Sequence, residues 1–301
     1  MTAPDQASPT GQDTPPTCYR HPGRETWVSC VRCGRHACPD CLRDAAVGQQ
    51  CVDCVRGGGA PGEAGRPARA ARTVFGGRPS RTATVTWTIM AVNIVLYLFE
   101  LARPGLASDW WMLGYASNYA GGPLQGVAAG QWYRLISSAF LPGTGSLGFL
   151  DIAFNMWALY IVGPGLEQLL GKVRFIAVYL LSAVGGSVLF YYLAPQNTPA
   201  LGASGAIFGL FGAWFVVSKR LRLDSRGIVL LIVLNLGLSF VYRSTIAWQD
   251  HIGGLVIGTL LTAAYAYAPR KNRTLIQVTA TVAIAVLLAV AVVVRNGQLN
   301  P

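Results

Sequence analysis

Ser204 opens an apolar stretch, Pro199-Ala-Leu-Gly-Ala-Ser-Gly-Ala-Ile-Phe-Gly-Leu-Phe-Gly-Ala-Trp214, and is flanked by Gly202, Ala203, Gly205 and Ala206. A hydroxyl among small residues ordinarily means packing: small side chains let helices approach, and the hydroxyl returns its hydrogen bond to its own backbone. Two features point to chemistry instead. The serine falls at the start of a helix, where free backbone N–H groups can hold an anion. His251, the only histidine beyond position 36, lies in a second apolar segment, Trp248-Gln-Asp-His-Ile-Gly-Gly-Leu-Val-Ile-Gly258. An ionisable side chain in such a segment marks a functional site. Nucleophile–base chemistry gives a Ser and a His on different helices a reason to meet. Asp250, beside His251, does not face the same way by adjacency alone.

A second constellation occupies residues 18–54, with the pairs Cys18-x-x-His21, Cys30-x-x-Cys33, Cys38-x-x-Cys41 and Cys51-x-x-Cys54. These eight candidate ligands use all seven cysteines of the chain and suffice for two tetrahedral zinc ions. The segment has few apolar residues, so the metals must supply most of its folding energy. Closed four-ligand sites are structural, and no catalysis is assigned to them. His36 reads as a spare surface residue. The segment resembles the cross-braced B-box class of zinc domains, which implies that the first and third pairs share one ion and the second and fourth the other. A sequential arrangement is the alternative.

The elements that carry Ser204 and His251 are those of a membrane protein. The chain of 301 residues is 52% hydrophobic and 12% charged, with a mean hydropathy of +0.40. That is too apolar for an ordinary soluble domain. Apolar segments fall at about 84–101, 149–165, 174–194, 203–218, 227–242, 247–268 and 274–294. Several are shorter than the roughly 20 residues that cross a bilayer alone. The net charge of +11 comes from basic residues between the apolar runs, as in cytoplasmic membrane loops. No aromatic platform or fold for nucleic acid accompanies them, so nucleic acid is excluded as a partner. With the N-terminus inside, fourteen Lys and Arg fall in the inner segments and four in the outer ones. This bias places the zinc module in the cytosol, where thiols stay reduced, and the C-terminus outside.

The domain organisation follows. Residues 1–16 are polar and Pro-rich without the apolar core of an export signal, and read as disordered. Residues 17–56 form the zinc-binding domain. Residues 57–82, rich in Gly, Pro, Ala and Arg, read as a basic flexible linker lying against anionic lipid heads. Residues 83–295 form the transmembrane domain. Gly254 and Gly258, like Gly205 and Gly209, are spaced for close packing between the fourth and sixth spans. The first outer loop, 102–148, carries Trp110, Trp111, Tyr115, Tyr119, Trp132 and Tyr133, residues that favour the membrane interface.

Leu201-Gly-Ala-Ser-Gly-Ala206 with His251-x-x-Gly254-x-x-x-Gly258 resembles the rhomboid intramembrane serine proteases. The likeness runs over roughly residues 83–295 and takes in Gln131-Trp-Tyr-Arg134, Phe154-Asn155-Met and Gly165-Leu-Glu167, the last ending the second span. The resemblance implies an all-α polytopic fold, with a six-helix core and here a seventh, C-terminal helix, in the bacterial plasma membrane. It implies a Ser204–His251 dyad without a third acid, acting on transmembrane protein substrates with no catalytic cofactor. Asn155 and the backbone N–H of Ser204 would receive the oxyanion, although an Asn in a bundle also serves as interhelical glue. Arg134 would tie a semi-buried first loop to the bundle. The role of the zinc module, recruiting a cytosolic protein partner or capping the fold, stays open.

Three positions depart from the family pattern. Asp151 stands where the family has a His four residues before Asn155. Pro142 follows Phe140-Leu141 in place of His, and Phe208 replaces a Tyr one turn after the nucleophile. Asp151 and Asn155 share one helix face. Kept protonated by burial, Asp151 would donate to the oxyanion; turned away, it would serve only the loop. A catalytically inactive rhomboid-like protein that binds membrane clients is the alternative function; such relatives usually lack the Ser or the His.

Overall fold

A computed structural model of the chain describes residues 15–45, 47–57, 73–78, 82–117, 123–141, 143 and 148–299. Most of the N-terminal tail (1–14), most of the linker (58–72 and 79–81), Tyr119 and Pro142 therefore lie outside the described residues. The chain divides into two units, residues 1–70 and 71–301.

The first unit is a small set of hairpins. Strand β1 (Thr17–Cys18) pairs antiparallel with β2 (His21–Glu25), β3 (Leu42–Asp44) pairs antiparallel with β4 (Gln49–Cys51), and a short helix α1 (Val52–Gly57) follows. All seven cysteines are buried and unbridged, and they make up most of the unit's interior beside Ala37 and Leu42. A core built of thiols offers little apolar area, so its cohesion falls to whatever the thiols bind.

The second unit is helical. Helix α2 (Thr84–Ala102) leads into a loop that contains α3 (Leu106–Trp110), a two-stranded hairpin of β5 (Ala116–Ser117) and β6 (Leu124–Gln125), and α4 (Arg134–Ser137). Then follow α5 (Gly148–Leu170), α6 (Lys172–Leu193), α7 (Ser204–Leu221), α8 (Arg226–Val241), α9 (Trp248–Tyr267) and α10 (Arg273–Leu299). Among the described residues, four stretches are long and apolar enough to cross a membrane by themselves: Thr84–Ala102, Gly148–Leu170, Lys172–Leu193 and Arg270–Leu299. Helix α8 has only 16 residues, a length of about 24 Å at 1.5 Å per residue against roughly 30 Å of hydrocarbon. Short helices such as these are tolerated inside a bundle.

Helices α6, α7 and α9 pack as the centre of the bundle because glycines remove the side chains between them. A Cβ on Gly254 would strike the carbonyl of Gly205, and one on Gly258 the carbonyl of Gly209. Gly253 meets Gly185 of α6 in the same way. These contacts set the depth and rotation of α9 against α7, and so the place of His251.

Three readings from the sequence need correction. The second span, expected at about 149–165 with Gly165-Leu-Glu167 at its end, runs on in α5 to Leu170 with Pro164 inside it. The extension buries Glu167, whose carboxylate accepts hydrogen bonds from the backbone N–H groups of Val85 (3.1 Å) and Thr86 (2.9 Å) and from the Thr86 hydroxyl (2.9 Å). Glu167 thereby supplies acceptors to the first turn of α2, which has no intrahelical partners for its N–H groups.

The linker, too, is not a free tether over its whole length. Phe75 is buried in the main hydrophobic cluster of the membrane unit. The Gln277 amide donates to the carbonyls of both Phe75 (3.0 Å) and Tyr265 (2.9 Å), and Gly77 lies against Leu170. Residues 73–78 thus belong to the bundle. The Gly- and Arg-rich composition around Phe75 conceals one strong apolar anchor.

Nor does Arg134 tie the first loop to the helices. Its guanidinium is buried and donates to the carbonyls of Ser108 and Trp111 (both 3.0 Å) and to Gln131 Oε1 (2.7 Å), all within the loop. The loop is joined to the segment before α7 by paired Met112–Ala200 backbone hydrogen bonds (2.8 and 2.9 Å) and by Tyr115 N–H to Gln196 O (3.0 Å).

Candidate active site and metal centre

Ser204 is the first residue of α7 and is half-buried. Gly202, two residues earlier, has φ +129°, a conformation open to glycine and strained for other residues. Its N–H donates to Ser138 O of the first loop at 3.0 Å. This turn delivers the serine to the helix start with its hydroxyl pointing toward α9. There His251 Nε2 lies 2.8 Å from Ser204 Oγ. The imidazole is buried and stacks face to face on Phe208, with ring centroids 4.3 Å apart and planes 13° from parallel. Phe208 therefore fixes the plane of the ring without a polar contact. The Asp250 carboxylate packs against Gly186 and Gly205, filling the space where their side chains would be.

On α5, Asn155 is buried and its amide donates to Asp151 Oδ1 at 3.0 Å. Asp151 Oδ2 accepts the N–H of Gly143 at 2.8 Å. Both carboxyl oxygens thus receive protein donors, one from the loop and one from Asn155. Asp151 is nevertheless close to the nucleophile. A Cβ on Gly202 would sit 3.6 Å from Ser204 Oγ and 3.7 Å from Asp151 Oδ2. One N–H of the Asn155 amide is committed to Asp151, and an amide carries two.

One residue absent from the sequence reading completes the surroundings of the ring. Ser239 of α8 is buried, and its Oγ lies 2.8 Å from His251 Nδ1. The signal available in sequence, a lone Ser in an apolar helix, is the ordinary sign of a backbone contact. Ser239 also makes that contact, donating to Asn235 O at 2.7 Å.

In the N-terminal unit the candidate ligands fall into two groups: Cys18, His21, Cys38 and Cys41, and Cys30, Cys33, Cys51 and Cys54. Within each, the donor atoms lie within 4.8 Å of one another. The grouping is interleaved, first pair with third and second with fourth. A tetrahedral zinc with bonds of about 2.3 Å to sulfur has edges of about 3.8 Å. Cys33 and Cys51 Sγ are 3.7 Å apart, and His21 Nδ1 is 3.4 Å from Cys38 and Cys41 and 3.8 Å from Cys18. The residues fit such an ion. Burial pushes the Cys33 thiol up, but the Arg35 guanidinium and backbone N–H outweigh it and hold the thiol below its ordinary value, whereas burial and the neighbouring thiols push Cys54 of the same group up to about 12. His36 belongs to neither group and is half-buried rather than on the surface.

Residues 129–269 match the rhomboid domain, a span that includes Asp151, Asn155, Ser204, Ser239 and His251. The chain is 35% identical over 187 residues to the putative rhomboid protease YdcA of Bacillus subtilis, covering 60% of this chain and 88% of that protein. It is 35% identical over 186 residues to the rhomboid protease GluP of the same organism, and there spans only 34% of the relative's length. It is 27% identical over 222 residues to the rhomboid protease AarA of Providencia stuartii, covering 63% of this chain and 75% of that protein. With its helical bundle and this likeness, the chain belongs to the rhomboid family of multi-pass membrane serine proteases.

Proposed function

We propose that the chain is an intramembrane serine endopeptidase that cleaves transmembrane segments of other membrane proteins. The observation that carries this reading is the 2.8 Å approach of His251 Nε2 to Ser204 Oγ, on two helices held together by glycine contacts. Ser204 Oγ attacks the scissile carbonyl while His251 Nε2 takes its proton. The oxyanion is received by the Asn155 amide and the backbone N–H of Ser204, in a helix turn whose N–H groups have no intrahelical partner. His251 returns the proton to the leaving amine, and water then hydrolyses the acyl-Ser204 ester. Asp151 orients Asn155 and holds the loop at Gly143. A substrate helix must unwind before its carbonyl is reachable, so helix-breaking residues favour cleavage.

The excess of Lys and Arg in alternate connections supports a cytoplasmic N-terminus, an external C-terminus and a site near the outer face of a bacterial plasma membrane. A reporter fused after Pro301 should be exported. The module at 17–56 holds two structural zinc ions on the cytosolic side, within reach of a cytosolic protein partner.

The test is cleavage of a transmembrane substrate by the purified full chain in proteoliposomes. Ser204→Ala and His251→Ala should each abolish cleavage with helix content intact. Cleavage by Ser204→Ala at the wild-type rate would refute the dyad.

A further inference from the structure

We propose that Ser239 is a positioning residue for the dyad: its hydroxyl oxygen accepts the Nδ1 proton of His251 and holds the imidazole in the tautomer whose Nε2 lone pair faces Ser204. The inference rests on the dyad reading above.

A hydroxyl and a neutral imidazole each have one proton to donate. Ser239 Oγ lies 2.7 Å from Asn235 O and 2.8 Å from His251 Nδ1. A carbonyl oxygen can only accept, so the single hydroxyl proton of Ser239 goes to Asn235. Toward the ring, Ser239 is then an acceptor, and Nδ1 carries a proton. A neutral imidazole has one N–H, so Nε2 is bare, 2.8 Å from Ser204 Oγ. Donation runs one way: Ser204 hydroxyl to Nε2, Nδ1–H to Ser239 oxygen, Ser239 hydroxyl to Asn235 carbonyl. When Nε2 takes the Ser204 proton, the ring becomes a cation with both nitrogens protonated. The bond to Ser239 then becomes charge-assisted and strengthens, while no proton moves onto Ser239. A neutral hydroxyl thus fills the place that a carboxylate holds in a Ser-His-Asp triad.

Position supports the assignment. Of the residues of α8, only Ile228 and Ser239 are buried, while Val229, Leu230, Val233, Leu234 and Leu238 are exposed. The helix is lightly held, and its one buried polar side chain meets the base. The carboxylates around the site are Asp250, packed against Gly186 and Gly205, and Asp151, engaged by Gly143 and Asn155.

The experiment uses the full-length protein in detergent or bicelles, with Ser239→Ala and Ser239→Thr. Three quantities are read: the rate of Ser204 labelling by a fluorophosphonate, kcat and KM on a transmembrane substrate, and the ring ¹⁵N shifts of His251 at pH 8. The chain has only three histidines, so the ring is assignable. In the wild type, Nδ1 should be protonated and Nε2 bare. Ser239→Ala should slow labelling and kcat together by about 10- to 100-fold, the size of loss found when an outer-shell partner of a metal-bound His is removed, and mix the tautomers. Ser239→Thr, which keeps the oxygen, should recover most of the rate. Unchanged labelling with Nδ1 still protonated, or a change confined to KM, would overturn the proposal and leave Ser239 a packing residue of α8. Should Ser239→Ala not fold, the wild-type spectrum alone decides, because a ring protonated at Nε2 also overturns it. Failure of the dyad reading has a separate signature, Ser204→Ala cleaving like wild type, and would overturn both.

Discussion

Gly254 of α9 rests directly against the carbonyl of Gly205 of α7, one residue beyond Ser204 and three beyond His251. The same contact that lets the helices touch fixes the gap between nucleophile and base. Gly254→Val inserts a side chain where there is no space and must push α9 away. Overpacking of this kind costs about 1–3 kcal/mol, and a shift of about 1 Å at a reacting pair can cost about 10²-fold in rate. Cleavage should fall by at least that factor while circular dichroism shows the helices retained.

Asp151 separates two roles by its acceptor count. Its oxygens receive Gly143 N–H and the Asn155 amide. An Asn at this position has one acceptor oxygen and one donor amide, so it satisfies one of the two and opposes the other. Asp151→Asn should therefore lose activity nearly as far as Asp151→Ala, by about 10²-fold, the loss that misplacing a catalytic group by about 1 Å can bring. Full single-turnover activity in Asp151→Asn would instead mark Asp151 as a neutral donor to the oxyanion.

The interleaved metal groups make a counting prediction. The full chain should purify with about two zinc ions. Cys18→Ser with Cys38→Ser strikes one group and should leave about one ion. Cys18→Ser with Cys30→Ser strikes both groups and should leave almost none. Sequential pairing reverses the two results. Elemental analysis reads the outcome, and a chelator should unfold the module without melting the helices.

Phe75 should behave as a core residue of the membrane unit. Phe75→Ala should destabilise the protein by about 3 kcal/mol, at the low end for buried Phe-to-Ala changes. Val74→Ala, at an exposed neighbour, should be nearly neutral. Denaturant unfolding in micelles compares the two.

Glu167→Ala should be at least as damaging. It leaves three donors at the start of α2 without their acceptor, at about 1–3 kcal/mol for each buried group left unpaired. Glu167→Gln, which keeps one acceptor oxygen, should cost less by the same measurement.

Much of the site was legible in the order of residues. Ser204 and His251 stand out because a hydroxyl and an imidazole are rare and costly in apolar helices. The eight Cys and His ligands are evident from their two-residue spacings. The glycines four apart announce a close helix contact, because period and side-chain size together determine what one face of a helix can touch. Spacing along one chain does not say which side chain another helix presents. Ser239 makes the hydrogen bond to its own backbone that any apolar helix would allow, and only the packing of α8 against α9 puts His251 on its other side. Asp151 stands on the face of Asn155 in any helix, but the arrival of Gly143 decides where its second oxygen points. Phe75 is one apolar residue in a polar, glycine-rich stretch, and it is burial in the hydrophobic cluster of the bundle, with Gln277 some two hundred positions away bonded to its carbonyl, that turns it from linker into core.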